Sequence, residues 1–228
     1  MWDENRELLI RGARALGELR DEVVFVGGCS TGLLITDPGA GDIRPTRDVD
    51  VIVATATRAE YRELERRLRA IGFRDDMKII CRWHCEDLTL DVMPTDPEIL
   101  GFSNAWYPGA IAHAVDHVLE PGLAIHVVSP TYFCATKIAA FHGRGKGDFA
   151  GSHDLEDFLA VVDGRLELVA EVRAAADDVR TFLAAEARAF LNLQEFLDVL
   201  PGSLAPDPAS QARLPLLVSR LQAIASLR

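Results

Sequence analysis

The sequence predicts an α+β protein: a mixed β-sheet flanked by helices, followed by a C-terminal helical subdomain. Three observations predict it. Short β-branched and aromatic runs alternate with segments of helical period up to residue 129. After Ser129-Pro130 those runs stop, and Ala, Leu and Glu recur at helical spacing to the end. Apolar residues make up 49% of the chain and charged residues 26%, an ordinary globular balance that excludes global disorder. The expected division is therefore a sheet domain over 1–129 and a helical domain over 130–228.

The elements follow in order. Residues 3 to 18 read as an amphipathic helix, with Leu8, Leu9, Ala13 and Leu16 near the helical period. Val23 to Val26 is a continuous apolar run that stops at Gly27-Gly28, the signature of a buried strand. Thr36 to Arg47, with two prolines and two glycines, reads as a loop. Asp48 to Val53 is a second strand. Thr57 to Ile71 is a helix closed by Gly72, with Tyr61, Leu64, Leu68 and Ile71 on one face. Met77 to Trp83 and Asp87 to Met93 read as a hairpin turning at His84-Cys85-Glu86, and Leu123 to Val128 as the last strand. Helices are then predicted at Thr131–His142, His153–Val162, 167–196 (with a break inside it) and Gln211–Leu227, with Pro201 to Pro208 as a linker.

The charge is 24 Lys+Arg against 35 Asp+Glu, or −11. That balance excludes a protein that coats nucleic acid by bulk charge, although not a local basic groove. No apolar run reaches the ~20 residues that span a bilayer. The first twenty residues are dotted with charges and lack a signal-peptide core. A cytoplasmic location without membrane partners is the expectation. The four cysteines, at 29, 81, 85 and 134, fit a reducing compartment.

The chemistry concentrates at three places. Gly27-Gly28-Cys29-Ser30 follows a strand; glycines let backbone approach a ligand closely, and backbone N–H groups at such a turn suit anionic oxygens. Taken alone, a glycine pair after a strand is more often only a tight turn. In Thr46-Arg47-Asp48-Val49-Asp50-Val51, strand alternation would put Asp48 and Asp50 on one face. Two carboxylates about 7 Å apart on one face repel each other unless a cation lies between them. Asp91 interrupts a third apolar run, where an unpaired carboxylate is costly.

A Gly-Gly-x-Ser turn, then Asp-x-Asp, then a later strand Asp resembles the nucleotidyltransferase superfamily, whose catalytic domain is a DNA polymerase β-like palm. Downstream, Lys137 on a helix, then Arg144-Gly145-Lys146-Gly147-Asp148 and Ser152-His153-Asp154-Leu155-Glu156-Asp157, looks like the AbiEii/AbiGii type, which includes the MenT toxins. The resemblance spans roughly residues 20 to 165; Cys29 falls at a variable position of the motif.

The resemblance implies transfer of a nucleoside monophosphate from an NTP to an acceptor hydroxyl. It implies Asp48, Asp50 and Asp91 as catalytic metal ligands for two Mg²⁺, with Mn²⁺ as the substitute. Gly27, Gly28, Ser30, Lys137, Arg144 and Lys146 would contact phosphate, with Arg47, Asp148, Asp154 and Asp157 in support. The implied acceptor is RNA such as tRNA, with a cognate antitoxin protein as partner. An aminoglycoside- or lincosamide-type enzyme is the alternative, because an acidic surface suits a small cationic acceptor. A degenerate palm that only binds is the non-enzymatic alternative.

Several residues carry blander readings. Ser152 reads as a helix N-cap, and Asp154 in the first turn also suits the helix dipole. Cys81, His84 and Cys85 offer three zinc donors without a fourth nearby in sequence. His113 and His117, at i and i+4 with Asp116 between them, offer a metal pair, with surface helix histidines as the expected reading. Trp83, Trp106 and Tyr107 read as packing residues that also suit base stacking. The stripe of Leu183, Phe190, Leu193 and Leu197 reads as core or dimer surface.

Overall fold

The computed structural model describes residues 2–55, 57–145 and 147–228. The chain forms two compact units, one of Met1–Gly32 with Arg44–Ser129, the other of Leu33–Ile43 with Pro130–Arg228.

The first unit is a seven-stranded mixed sheet with helices. Its strands are β1 (Val23–Val26), β2 (Val49–Val53), β3 (Arg74–Asp75), β4 (Arg82–Cys85), β5 (Leu88–Pro94), β6 (Val115–Glu120) and β7 (Leu123–Val127), in the order β3-β4-β5-β2-β1-β7-β6. β1 runs antiparallel to β2 and parallel to β7, while β2 and β5 are parallel. The central strands are buried on both faces, which is why they read as continuous apolar runs. The helices of this unit are α1 (Trp2–Leu16), α2 (Arg58–Ala70), α3 (Pro97–Leu100) and α4 (Tyr107–Ala112). Thr57 caps α2 in a full capping box with Glu60, and Tyr61, Leu64 and Leu68 are its buried face, while Ile71, expected on that face, is the C-cap and is exposed. Asn5, fully buried on α1, donates to the Arg44 carbonyl at 3.0 Å and accepts from Thr46 N–H at 2.9 Å. That pair of bonds fixes the chain as it enters β2.

Some local expectations are corrected. Gly28–Leu34, after the glycine turn, is a 3₁₀ helix, an element that the sequence reading did not assign; two glycines, a serine and a threonine in seven residues give little α propensity. β2 begins at Val49, so Asp48 precedes the strand. The hairpin turns at Glu86-Asp87, with Glu86 in the left-handed region at φ 54°, so Cys85 pairs with Leu88. β6 had no clear period-two signature because its exposed positions include Val115 and Val118. His117 lies on β6, so it shares no helix face with His113.

The second unit is helical: α5 (Pro130–Ala140), α6 (His153–Gly164), α7 (Leu168–Ala174), α8 (Asp177–Leu191), α9 (Gln194–Val199), α10 (Pro208–Gln211) and α11 (Leu214–Ala225). The predicted segment 167–196 is broken into α7, α8 and the start of α9. Phe141, Phe149, Phe158, Phe190 and Phe196 form its aromatic core, with Phe190 and Phe196 stacked 4.9 Å apart. Leu193 is exposed, so the predicted apolar stripe ends at Phe190.

The segment Leu33–Ile43 is held in this unit by charge. Arg213 donates to Asp163 at 2.9 Å and to Asp37 at 2.8 Å, and Arg165 donates to the Leu34 carbonyl at 2.8 Å. Thr36 and Asp37 N–H groups both bond the Gly164 carbonyl, and a Cβ at Gly164 would meet Ile35 at 2.7 Å. No helix among the described residues is long and apolar enough to cross a membrane.

Arg213→Met would leave Asp163, almost fully buried, without its guanidinium. Removing one partner of a buried pair costs about 3–5 kcal/mol. The expected result is a loss of that size in denaturant unfolding, with faster amide exchange across residues 34–43.

Candidate functional site

The first unit sets its acids in one row across the sheet. Val26 of β1 pairs with Asp50 of β2, Asp50 pairs with Asp91 of β5, and Asp91 pairs with Arg82 of β4. Side chains at paired positions share a face, and neighbouring strands lie about 4.8 Å apart. Three charged side chains therefore stand side by side, with Val26 at the end of the row where the Gly27 turn begins.

Gly27 has φ 74°, a left-handed conformation that favours glycine, and it turns the chain directly beneath Asp50. A Cβ built on Gly27 would lie 1.9 Å from Asp50 Oδ2. The turn and the second Asp of the Asp-x-Asp pair are thus in contact. Cys29 is fully buried, and burial together with the nearby Asp50 charge pushes its thiol up to about 12, so it stays protonated and inert. Ser30 is also fully buried, and its hydroxyl donates to the Val26 carbonyl at 3.0 Å. Ser30 here closes the turn. Gly28 opens the 3₁₀ helix that follows.

Arg82 was not singled out in the sequence and is the central cation of this row. Its Nε donates to Asp91 Oδ1 at 2.8 Å, and its Nη2 donates to Asp91 Oδ2 at 2.8 Å and to Asp48 Oδ2 at 2.7 Å. Asp48 Oδ1 accepts from Thr46 Oγ1 at 3.0 Å. The hydrogen bonds and charge of Asp91, with that of Asp48, raise the Arg82 pKa further, so it is permanently charged. Burial, with the Asp91 charge, pushes the Cys81 thiol up to about 11. Arg47 is exposed in the bend before β2.

Three carboxylates facing one way are the oxygen donors that Mg²⁺ takes, so the donor chemistry fits that ion. Asp48 and Asp91 close on the Arg82 guanidinium instead. Among the described residues, no group of three or more His, Cys, Asp or Glu is arranged to hold a metal ion. His84 pairs with Asp76 at 2.9 Å, and Trp83 is core, with Arg69 over its ring at 5.1 Å. Tyr107 donates to Met93 Sδ at 3.1 Å.

The second unit carries the other cluster. Lys137 of α5 is buried, and its ammonium reaches Asp157 at 2.6 Å and Asp154 at 3.3 Å. Arg144 lies in a π-helical extension of α5, Phe141–Gly145. It grips Asp154 with two donors, at 2.7 and 2.8 Å. Two cations thus match two carboxylates. Burial alone would raise the Asp154 pKa; Arg144 and Lys137 outweigh it and hold the carboxyl below its ordinary 3.8. Ser152 is the N-cap of α6, its Oγ accepting from Leu155 N–H, so Asp154 is left to the cations. Asp148 is exposed and accepts from Gly151 N–H at 2.8 Å. Lys146 lies outside the described residues.

No family model matches the chain, and no curated protein matches it. The fold is similar to the crystal structure of an antigenic nucleotidyltransferase-like protein from Paracoccidioides brasiliensis, at 19% identity over 97% of this chain and 93% of that one, with a TM-score of 0.49.

Gly27→Ala would force both a left-handed alanine and a clash with Asp50. Together these should cost on the order of 2–4 kcal/mol, read as a lower urea midpoint. A second expectation concerns acid. Because the folded Asp154 pKa is depressed, its stabilisation is present above the unfolded value and is lost as pH falls through the folded one. The melting temperature should fall below about pH 4, and Asp154→Asn should flatten that part of the profile.

Proposed function

We propose that this protein is a metal-dependent nucleotidyltransferase that moves a nucleoside monophosphate from an NTP to an acceptor hydroxyl. The observation that carries the reading is the register. Asp50 pairs with Asp91 on one side, and on the other with the residue that opens the Gly27-Gly28-Cys29-Ser30 turn. A phosphate-sized anion and a carboxylate row are needed side by side for phosphoryl-type chemistry, and a fold rarely pays for such a row without use.

In this reading Asp48, Asp50 and Asp91 hold Mg²⁺ or Mn²⁺, which when bound neutralises phosphate oxygens and the developing charge on the leaving pyrophosphate. The residues of the chain do the rest. Gly27 and Gly28 leave room for phosphate against the backbone. Ser30 holds the turn in shape through its bond to Val26. Arg144, whose side chain is 75% exposed while its donors hold Asp154, keeps the phosphate role that the sequence resemblance gives it. Lys137 is enclosed by its two aspartates and acts by holding Asp154 and Asp157.

RNA such as tRNA is the proposed acceptor, within an AbiEii-like toxin that a cognate antitoxin protein restrains; the support is the sequence resemblance. The charge of −11 favours a second acceptor class, a small cationic molecule such as an aminoglycoside. The Arg82 bonds to Asp48 and Asp91 favour a third reading, a non-catalytic palm whose acids are structural.

The test is pyrophosphate release with Mg²⁺, each NTP and either total RNA or an aminoglycoside. Asp50→Asn should lower the rate at least about 100-fold, since a lost metal ligand removes several kcal/mol of charge stabilisation. Label on tRNA-sized RNA assigns the first acceptor and label on the antibiotic the second. Equal rates for wild type and variant would leave only the non-catalytic reading.

A further inference from the structure

Arg82 faces the acids from β4, next to the short edge strand β3. Its cross-strand pairing with Asp91 puts both on one face. Its planar fork takes both oxygens of Asp91 and one of Asp48, the geometry in which arginine binds carboxylate best. The Asp91 side chain is 12% exposed and that of Arg82 25% exposed, so the arginine is the more open to solvent of the two.

Without a positive charge, Asp48, Asp50 and Asp91 would repel one another across neighbouring strands. Arg82 supplies that charge and occupies the oxygens that a divalent cation would need. A guanidinium and a divalent cation cannot hold the same lone pairs at once.

We propose that Arg82 is a built-in competitor for the divalent cation, holding Asp48 and Asp91 in the metal-free protein and swinging out when metal loads. This rests on the metal-dependent reading above. Loading then exchanges one cation for another, and the row never stands bare. The affinity for metal is set by how often Arg82 is away, because binding to a minor state is weakened by its population.

The test measures Mn²⁺ binding itself, from the electron paramagnetic resonance signal of free Mn²⁺ and from calorimetry, on wild type, Arg82→Gln, Arg82→Lys and Asp50→Asn. Arg82→Gln should bind Mn²⁺ at least about tenfold more tightly than wild type, and Mn²⁺ should raise its melting temperature more. Arg82→Lys keeps a charge without the fork and should fall between them. Should Arg82→Gln fail to fold, the lysine variant decides, with tighter binding than wild type expected. Unchanged or weaker binding in the arginine variants, with binding still lost in Asp50→Asn, overturns the competition and leaves the metal reading standing. No Mn²⁺ binding by any of the proteins overturns both.

Discussion

A carboxylate withdrawn from water must meet a positive charge, and most of the architecture described here can be traced to that requirement. In the first unit Arg82 bridges Asp48 and Asp91. In the second, Lys137 and Arg144 share Asp154 and Asp157, and Arg213 joins Asp37 to Asp163. Such pairs add little net stability against an apolar replacement, yet losing one partner is severe. They work chiefly as registration marks. Each ties segments distant in sequence into one arrangement, as Arg213 does with a segment some way behind it in the chain.

The glycine turn is the steric counterpart of this electrostatic frame. Asp50 rests where any side chain on residue 27 would have to be. The left-handed backbone there and the aspartate above it therefore require each other. Ser30 and Cys29, both fully buried, form the floor of the turn. Whatever meets this turn meets backbone on one side and carboxylate on the other.

Much of this was legible in the sequence. The strands at Val23 and Val49 announced themselves by β-branched runs, and the carboxylates by interrupting such runs. Arg82 was not legible, and the reason is register. A hairpin centred on Cys85 puts Ile79 opposite Asp91; the real turn, at Glu86-Asp87, puts Arg82 there. Nothing local forced that choice, because Glu86 adopts a positive φ that its residue type does not advertise. Ser30, expected as a phosphate contact, is fully buried and donates to the Val26 carbonyl, a backbone bond that a hydroxyl in a glycine turn does not announce in sequence. Lys137, expected to contact phosphate, is enclosed by Asp154 and Asp157, and their separations of 17 and 20 residues hide that pairing from any local reading. The strand β6 escaped notice because its exposed face carries valines rather than polar residues.

The assignment of residues 33–43 to the second unit has a consequence for synthesis. A ribosome makes this segment early, between the two halves of the first unit, and makes Asp163 and Arg213 much later. Domains usually fold from the N-terminus as they emerge. Here an early stretch has to wait, tethered at both ends, until nearly the whole chain is outside the tunnel. A fragment cut after Ser129 would carry that stretch with none of its charged anchors. The ion pair of Asp37 can therefore form only after Arg213 has emerged.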